Sequence, residues 1–104
     1  MLNRSDMRSK RMFQFSLDRL SKQGFKSLHD PGVWDRLDTT REHVQGAIMF
    51  DCLDMWEEII YYVDTPAFYI IGYEDNDWTM LMRKLSPLGV FIKEEERLEL
   101  IRNI

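Results

Sequence analysis

The sequence predicts a helix-dominated α+β domain: one long central helix, shorter helices around it, and two short strands, with an all-α bundle as the alternative. Three observations predict it. Apolar residues recur at helical spacing in several segments, and cap residues stand where those segments begin and end. Two short runs, residues 67 to 73 (AFYIIGY) and 90 to 92, are rich in β-branched and aromatic residues over strand-like lengths. With 104 residues, 44% of them hydrophobic and 12% aromatic, the chain is expected to form one compact domain around a single core.

The first helix is expected over residues 5 to 23, with Ser5 as its cap and Gly24 as the left-handed residue that ends it. Phe13, Leu17 and Leu20 form its apolar side. On the other side Arg4, Arg8, Arg11, Arg19 and Lys22 fall within an arc of roughly 80°, with Phe15 among them. Asp30 followed by Pro31 has the form of a cap and first position of a short helical turn that carries Val33, Trp34 and Leu37 inward.

Residues 39 to 42, Thr-Thr-Arg-Glu, have the capping-box pattern and predict the start of the central helix. It is expected to run to about residue 63, with Ile48, Cys52, Met55, Trp56, Ile59 and Val63 on a wide apolar face. Gly46 inside it costs only about 1 kcal/mol relative to Ala. Pro66 is expected to end the helix, after which residues 67 to 73 form the first strand. Asp75, Asn76 and Asp77 offer caps for a helix bearing Trp78, Leu81, Met82 and Leu85, which Arg83 and Lys84 favour at its C-terminus and Ser86-Pro87 stop. Residues 90 to 92 would pair with the first strand, and residues 94 to 103 would close the chain as a helix. Trp34, Trp56 and Trp78 are all expected in the core.

The net charge of −4 is unevenly spread. Residues 1 to 26 carry seven Lys and Arg against Asp6 and Asp18, a balance of +5, so the helical body over residues 27 to 104 carries −9. The central helix holds an acidic stripe in which Asp51, Asp54 and Glu58 fall within roughly 60° of arc. No Lys or Arg lies between Arg41 and Arg83 to offset it. Phe50 and Tyr61 project to the same polar side, either as an exposed pair or covered by the strand segment or the C-terminal helix.

Catalytic chemistry has little to work with. His43 and Cys52 are nine residues apart and project to opposite sides of one helix, so they form no nucleophile pair, and His29 stands beside the Asp30-Pro31 turn. Glycine spacing offers neither a phosphate loop nor a nucleophile elbow. The acidic run at residues 74 to 77 has Met80 where a calcium loop starting at Asp75 needs glycine, so helix capping accounts for it better than a metal site. No cofactor or metal is expected. A single cysteine, no secretory leader and no long uncharged apolar segment lead to the expectation of a soluble cytoplasmic protein without a membrane span.

These features point to a small non-enzymatic protein-binding module, an inhibitor, adaptor or regulator of a larger protein. Its size and charge asymmetry are those of small inhibitors carried by phages and other mobile elements, an analogy of composition. The candidate contact residues are Arg8, Arg11, Phe15, Arg19 and Lys22 on the basic stripe, and Phe50, Asp51, Asp54, Glu58 and Tyr61 on the acidic helix. The alternative is a nucleic-acid-binding regulator that sets the basic helix against phosphates and stacks Phe15 on a base. Homo-oligomerisation stays open.

Overall fold

In the computed structural model, which describes residues 2–102, the first helix, α1 (Arg4–Gln23), begins one turn-position earlier than expected. Asn3, not Ser5, is the cap, its side-chain oxygen accepting from the Asp6 N–H at 2.8 Å. Gly24 ends the helix at φ 97°, a conformation that side-chain-bearing residues avoid, and its N–H returns to the Leu20 carbonyl. A 3-10 turn (Phe25–His29) leads into α2 (Pro31–His43), whose cap is Asp30, with Pro31 at the first position as expected.

The long central helix is the first correction. Helix α2 continues through the Thr39–Glu42 pattern to His43, and a second helix, α3 (Ala47–Tyr62), starts after a break at residues 44 to 46. Thr39, the cap residue of that pattern, lies inside α2, and the neighbouring Thr40 hydroxyl donates to the Arg36 carbonyl one turn back, as helix-interior threonines do. Gly46 sits at φ 99° and is the break itself. His43 therefore lies in the last turn of α2, and not in the first turn of the helix that carries Cys52.

The α+β prediction is wrong: no strand occurs among the described residues, and the architecture is all-helical. Residues 67 to 73, expected as a strand, lie in α4 (Thr65–Tyr73). Asp64 caps α4 by accepting from the Ala67 N–H, and Pro66 lies in its first turn, where the missing N–H costs nothing. The apolar run is thus read at helical spacing, with Phe68, Ile71 and Gly72 buried and Tyr69, Ile70 and Tyr73 outside. Residues 90 to 92, expected as the second strand, belong to or follow a 3-10 turn (Pro87–Phe91) started by the Ser86 hydroxyl, which accepts from the Leu88 N–H at 3.0 Å.

Between these lies α5 (Asp77–Lys84), which has the expected cap in full form. Asn76 and Thr79 exchange side-chain-to-backbone hydrogen bonds, a reciprocal capping box. The last helix, α6 (Glu94–Arg102), closes the described chain, while Asn103 of the expected helix lies outside the described residues.

The core forms where α1, α3, α4 and α5 converge on Trp56, which is fully buried. Its ring packs against Phe13 of α1 and Phe68 of α4 at centroid distances of 5.9 and 5.7 Å, and its indole N–H donates to the Met82 carbonyl of α5 at 2.9 Å. Trp34 and Trp78, expected in the core, are only half-buried at its edge. Helix α1 approaches α4 so closely at Gly72 that a Cβ there would lie 3.3 Å from the Phe13 ring.

One hydrogen-bond node ties α4 to α5. The Arg83 side chain is wholly buried, donating from Nη1 to the Ile71 and Glu74 carbonyls at the end of α4 and from Nη2 to Asp75. It satisfies carbonyls that a helix end leaves without partners. Asp75, which Lys10 also contacts at 2.9 Å, and Asn76 are therefore occupied in joining and capping helices.

Candidate functional site

Helix α3 carries four carboxylates, Asp51, Asp54, Glu57 and Glu58, and no basic residue. At about 100° per residue, its buried side chains Cys52, Leu53, Trp56, Ile59 and Ile60 occupy one side of the projection. The remaining half of the circumference is open: Ile48, Phe50, Asp51, Asp54, Met55, Glu58, Tyr61 and Tyr62 are all exposed. Neither candidate cover lies on it. Among the described residues helix α6 packs on α1 and makes no packing contact with α3, and the segment expected as a strand forms α4.

The sequence-predicted residues Phe50, Asp51, Asp54, Glu58 and Tyr61 therefore share one solvent-facing surface. Tyr61 is 66% exposed and stands edge-on to Tyr62, itself 73% exposed, with ring centroids 5.0 Å apart. Sequence reasoning missed Tyr62, and it assigned Ile48 and Met55 to the buried face, whereas both are exposed. The α3 break at Gly46 explains Ile48: it lies in the first turn of a new helix, beyond the reach of the core.

Two shallow clefts flank this surface and share Met55, Glu58 and Tyr62. One, of about 630 Å³, is walled by Trp34 of α2, and the other, of about 670 Å³, by Trp78 of α5 together with Pro66 and Ala67 of α4. The half-buried tryptophans are thus the outer walls of a ridge-and-cleft surface. Arg41 of α2 is the one cation whose ion pairs with α3 are seen among the described residues, reaching Asp54 at 3.0 Å and Glu57 at 2.9 Å. Among the described residues Asp51 and Glu58 are in no ion pair. Cys52 lies just beneath, and burial, with Asp51 second, pushes its thiol up, away from the reactive thiolate.

The basic stripe is organised differently. Arg19 grips Glu96 of α6 with both guanidinium nitrogens, donates to the Phe91 carbonyl at 3.0 Å and lies 5.0 Å over the Phe15 ring. The Arg19 hydrogen bond, aided by the Lys93 backbone N–H, holds the Glu96 carboxyl at about 2. Lys22 pairs with Asp18 on its own helix at 3.0 Å. Arg8 is half-buried and Arg11 exposed. Within the stripe Arg19 is therefore paired with α6, and Lys22 with its own helix. The signal for this was present in the Glu-rich start of α6.

Among the described residues no three His, Cys, Asp or Glu side chains gather as a metal-binding group, and no helix is long and apolar enough to cross a membrane. No protein-family model matches the chain, and neither a known curated protein nor a solved structure shows significant similarity to it.

Proposed function

We propose that the protein is a non-enzymatic binding module whose exposed half of α3 docks a larger protein through a basic amphipathic segment. The observation that carries this reading is the makeup of that surface. It combines five large apolar or aromatic side chains, Ile48, Phe50, Met55, Tyr61 and Tyr62, with Asp51 and Glu58, which are in no ion pair among the described residues. Folded monomers rarely leave such a patch in contact with water, and exposed tyrosines flanked by grooves are the usual anchors of interfaces. The acidic rim selects a cationic partner and speeds encounter, while the rings and Met55 supply the desolvated centre.

The basic stripe contributes less to this reading. Arg19 and Lys22 are spent on Glu96 and Asp18, and the acidic body opposes a polyanion, so nucleic acid has weaker support as the partner. A photo-crosslinking residue tests the assignment when placed at Tyr62 and, as a control, at Lys22, in the cell that makes the protein. A covalent adduct to one protein from position 62 and none from position 22 is expected. Equal labelling from both positions, or adducts only to a second copy of the chain, would contradict the reading.

A further inference from the structure

On the face away from α3, a cavity of about 490 Å³ opens between α1, the end of α5, the Pro87–Phe91 turn and the start of α6. Its lining is polar and cationic. Arg36, Arg83, Lys84 and Arg97 line it together with one carboxylate, Glu94, which Arg97 holds with two hydrogen bonds, and Ser9, Ser16 and Ser86 add hydroxyls. Met12, Phe13 and Ile92 supply an apolar wall. Lys84 pairs with Asp6, Arg83 with Asp75 and Arg97 with Glu94, so Arg36 is the lining cation without an ion pair among the described residues.

Three details separate this cavity from an incidental gap between helices. Arg36 makes no ion pair or side-chain hydrogen bond among the described residues, although its guanidinium reaches across to the turn. Its Nη1 lies 3.1 Å from where a Cβ on Gly89 would sit, so the missing side chain at Gly89 leaves the room it occupies. Arg83, wholly buried, retains an Nε–H with no acceptor, a vacancy native proteins rarely leave in a buried group. The volume falls within the range of about 300 to 1,000 Å³ typical of small-molecule sites and exceeds what an inorganic ion needs.

We propose that this cavity binds a small organic molecule carrying a phosphate group, with the organic body against Met12, Phe13 and Ile92. A phosphate monoester offers three acceptor oxygens and nearly two charges, which suits donors converging from four elements. A lone carboxylate has two acceptor oxygens and one charge, fewer than the Arg36 fork, the unpartnered Arg83 Nε–H and the Ser9 and Ser86 hydroxyls together can engage. The site shares no residue with the α3 surface, so it stands or falls independently of the docking function.

The test is thermal-shift titration of the full chain, in phosphate-free buffer at matched ionic strength, with adenosine monophosphate, glucose 6-phosphate, adenosine, glucose, succinate and sulfate. At least one phosphate ester is expected to raise the melting temperature saturably below about 10 mM, with the neutral parents and sulfate inert. Arg36→Gln should weaken that ester about tenfold or more while leaving the unliganded melting temperature unchanged, because Arg36 is exposed and holds nothing else. Ser9→Ala, a second variant that leaves the core intact, should weaken it less. The proposal is overturned if no ester binds, if binding is indifferent to both substitutions, or if succinate or sulfate binds as well as the esters do.

Discussion

Trp56 is the most exacting point in the fold, and replacing its indole by a single ring tests both its hydrogen bond and its packing. Trp56→Phe keeps an aromatic ring between Phe13 and Phe68 but leaves the buried Met82 carbonyl without its side-chain donor and vacates the volume of one ring. A lost hydrogen bond of this kind costs about 1 to 2 kcal/mol, and the partial void adds about 1 more. Trp56→Ala removes the remaining ring contacts as well and should cost about 4 to 6 kcal/mol, most of the stability of a small domain. Urea unfolding followed by far-ultraviolet circular dichroism measures both without relying on the fluorophore being deleted. The Phe variant should lower the melting temperature by roughly 8 to 20 °C. A Phe variant within about 2 °C of the parent, or an Ala variant that unfolds at the parent's urea midpoint, would refute Trp56 as the centre of the core.

Other outcomes follow from the polar nodes and the close approaches. Arg83→Met should destabilise by about 2 to 3 kcal/mol in chemical denaturation, because the Ile71 carbonyl at the end of α4 loses its donor. Gly72→Leu should cost about 1 to 3 kcal/mol by the same measurement, since the new side chain meets the Phe13 ring. The Glu96 carboxyl, held at about 2 against an ordinary 4.5, contributes stability that is complete above pH 4.5 and lost as pH falls towards 2. Glu96→Gln should therefore lower the melting temperature at neutral pH and flatten its decline over that acid window. Gel-shift titration at about 150 mM salt should show no submicromolar complex with DNA or RNA, and one that depends on Arg8, Arg11 and Arg19 would revive the nucleic-acid reading.

What the sequence made legible is the punctuation of individual helices. Gly24, Asp30-Pro31 and the Asn76 cap are strictly local devices, each completed within two to four residues, and each stands where expected. The strand at residues 67 to 73 was misread because composition outweighed two local signals. Asp64 and Pro66 form a helix start, and Phe68, Ile71 and Gly72 keep the helical period. The two-helix split at Gly46 was hidden because Thr39, Thr40 and Glu42 suit a helix interior as well as a cap, so nothing nearby contradicted one continuous helix.

The candidate site divides along the same line between local and tertiary information. The projection of α3 sufficed to put Phe50, Asp51, Asp54, Glu58 and Tyr61 on one side, because a helix face is a property of spacing alone. Whether that side is covered depends on where α4 and α6 go, which spacing does not encode. The partner of Arg19 is likewise tertiary: Glu96 lies 77 residues away and is one of several glutamates at the start of α6. The cationic cavity draws on four separate helices and a turn, and no stretch of sequence announces it.

The central claim, that the open half of α3 is a binding surface and not a structural one, is tested most directly by a triple variant, Phe50→Ser, Tyr61→Ser and Tyr62→Ser. All three side chains are exposed, so the claim predicts melting within about 3 °C of the parent, as expected for surface substitutions. Affinity for the protein crosslinked at position 62 should meanwhile fall by about a hundredfold or more, since three rings of the docking surface are lost. Parent-like affinity in the triple variant would contradict the account, as would a collapse of its stability, which would show these rings to be part of the fold.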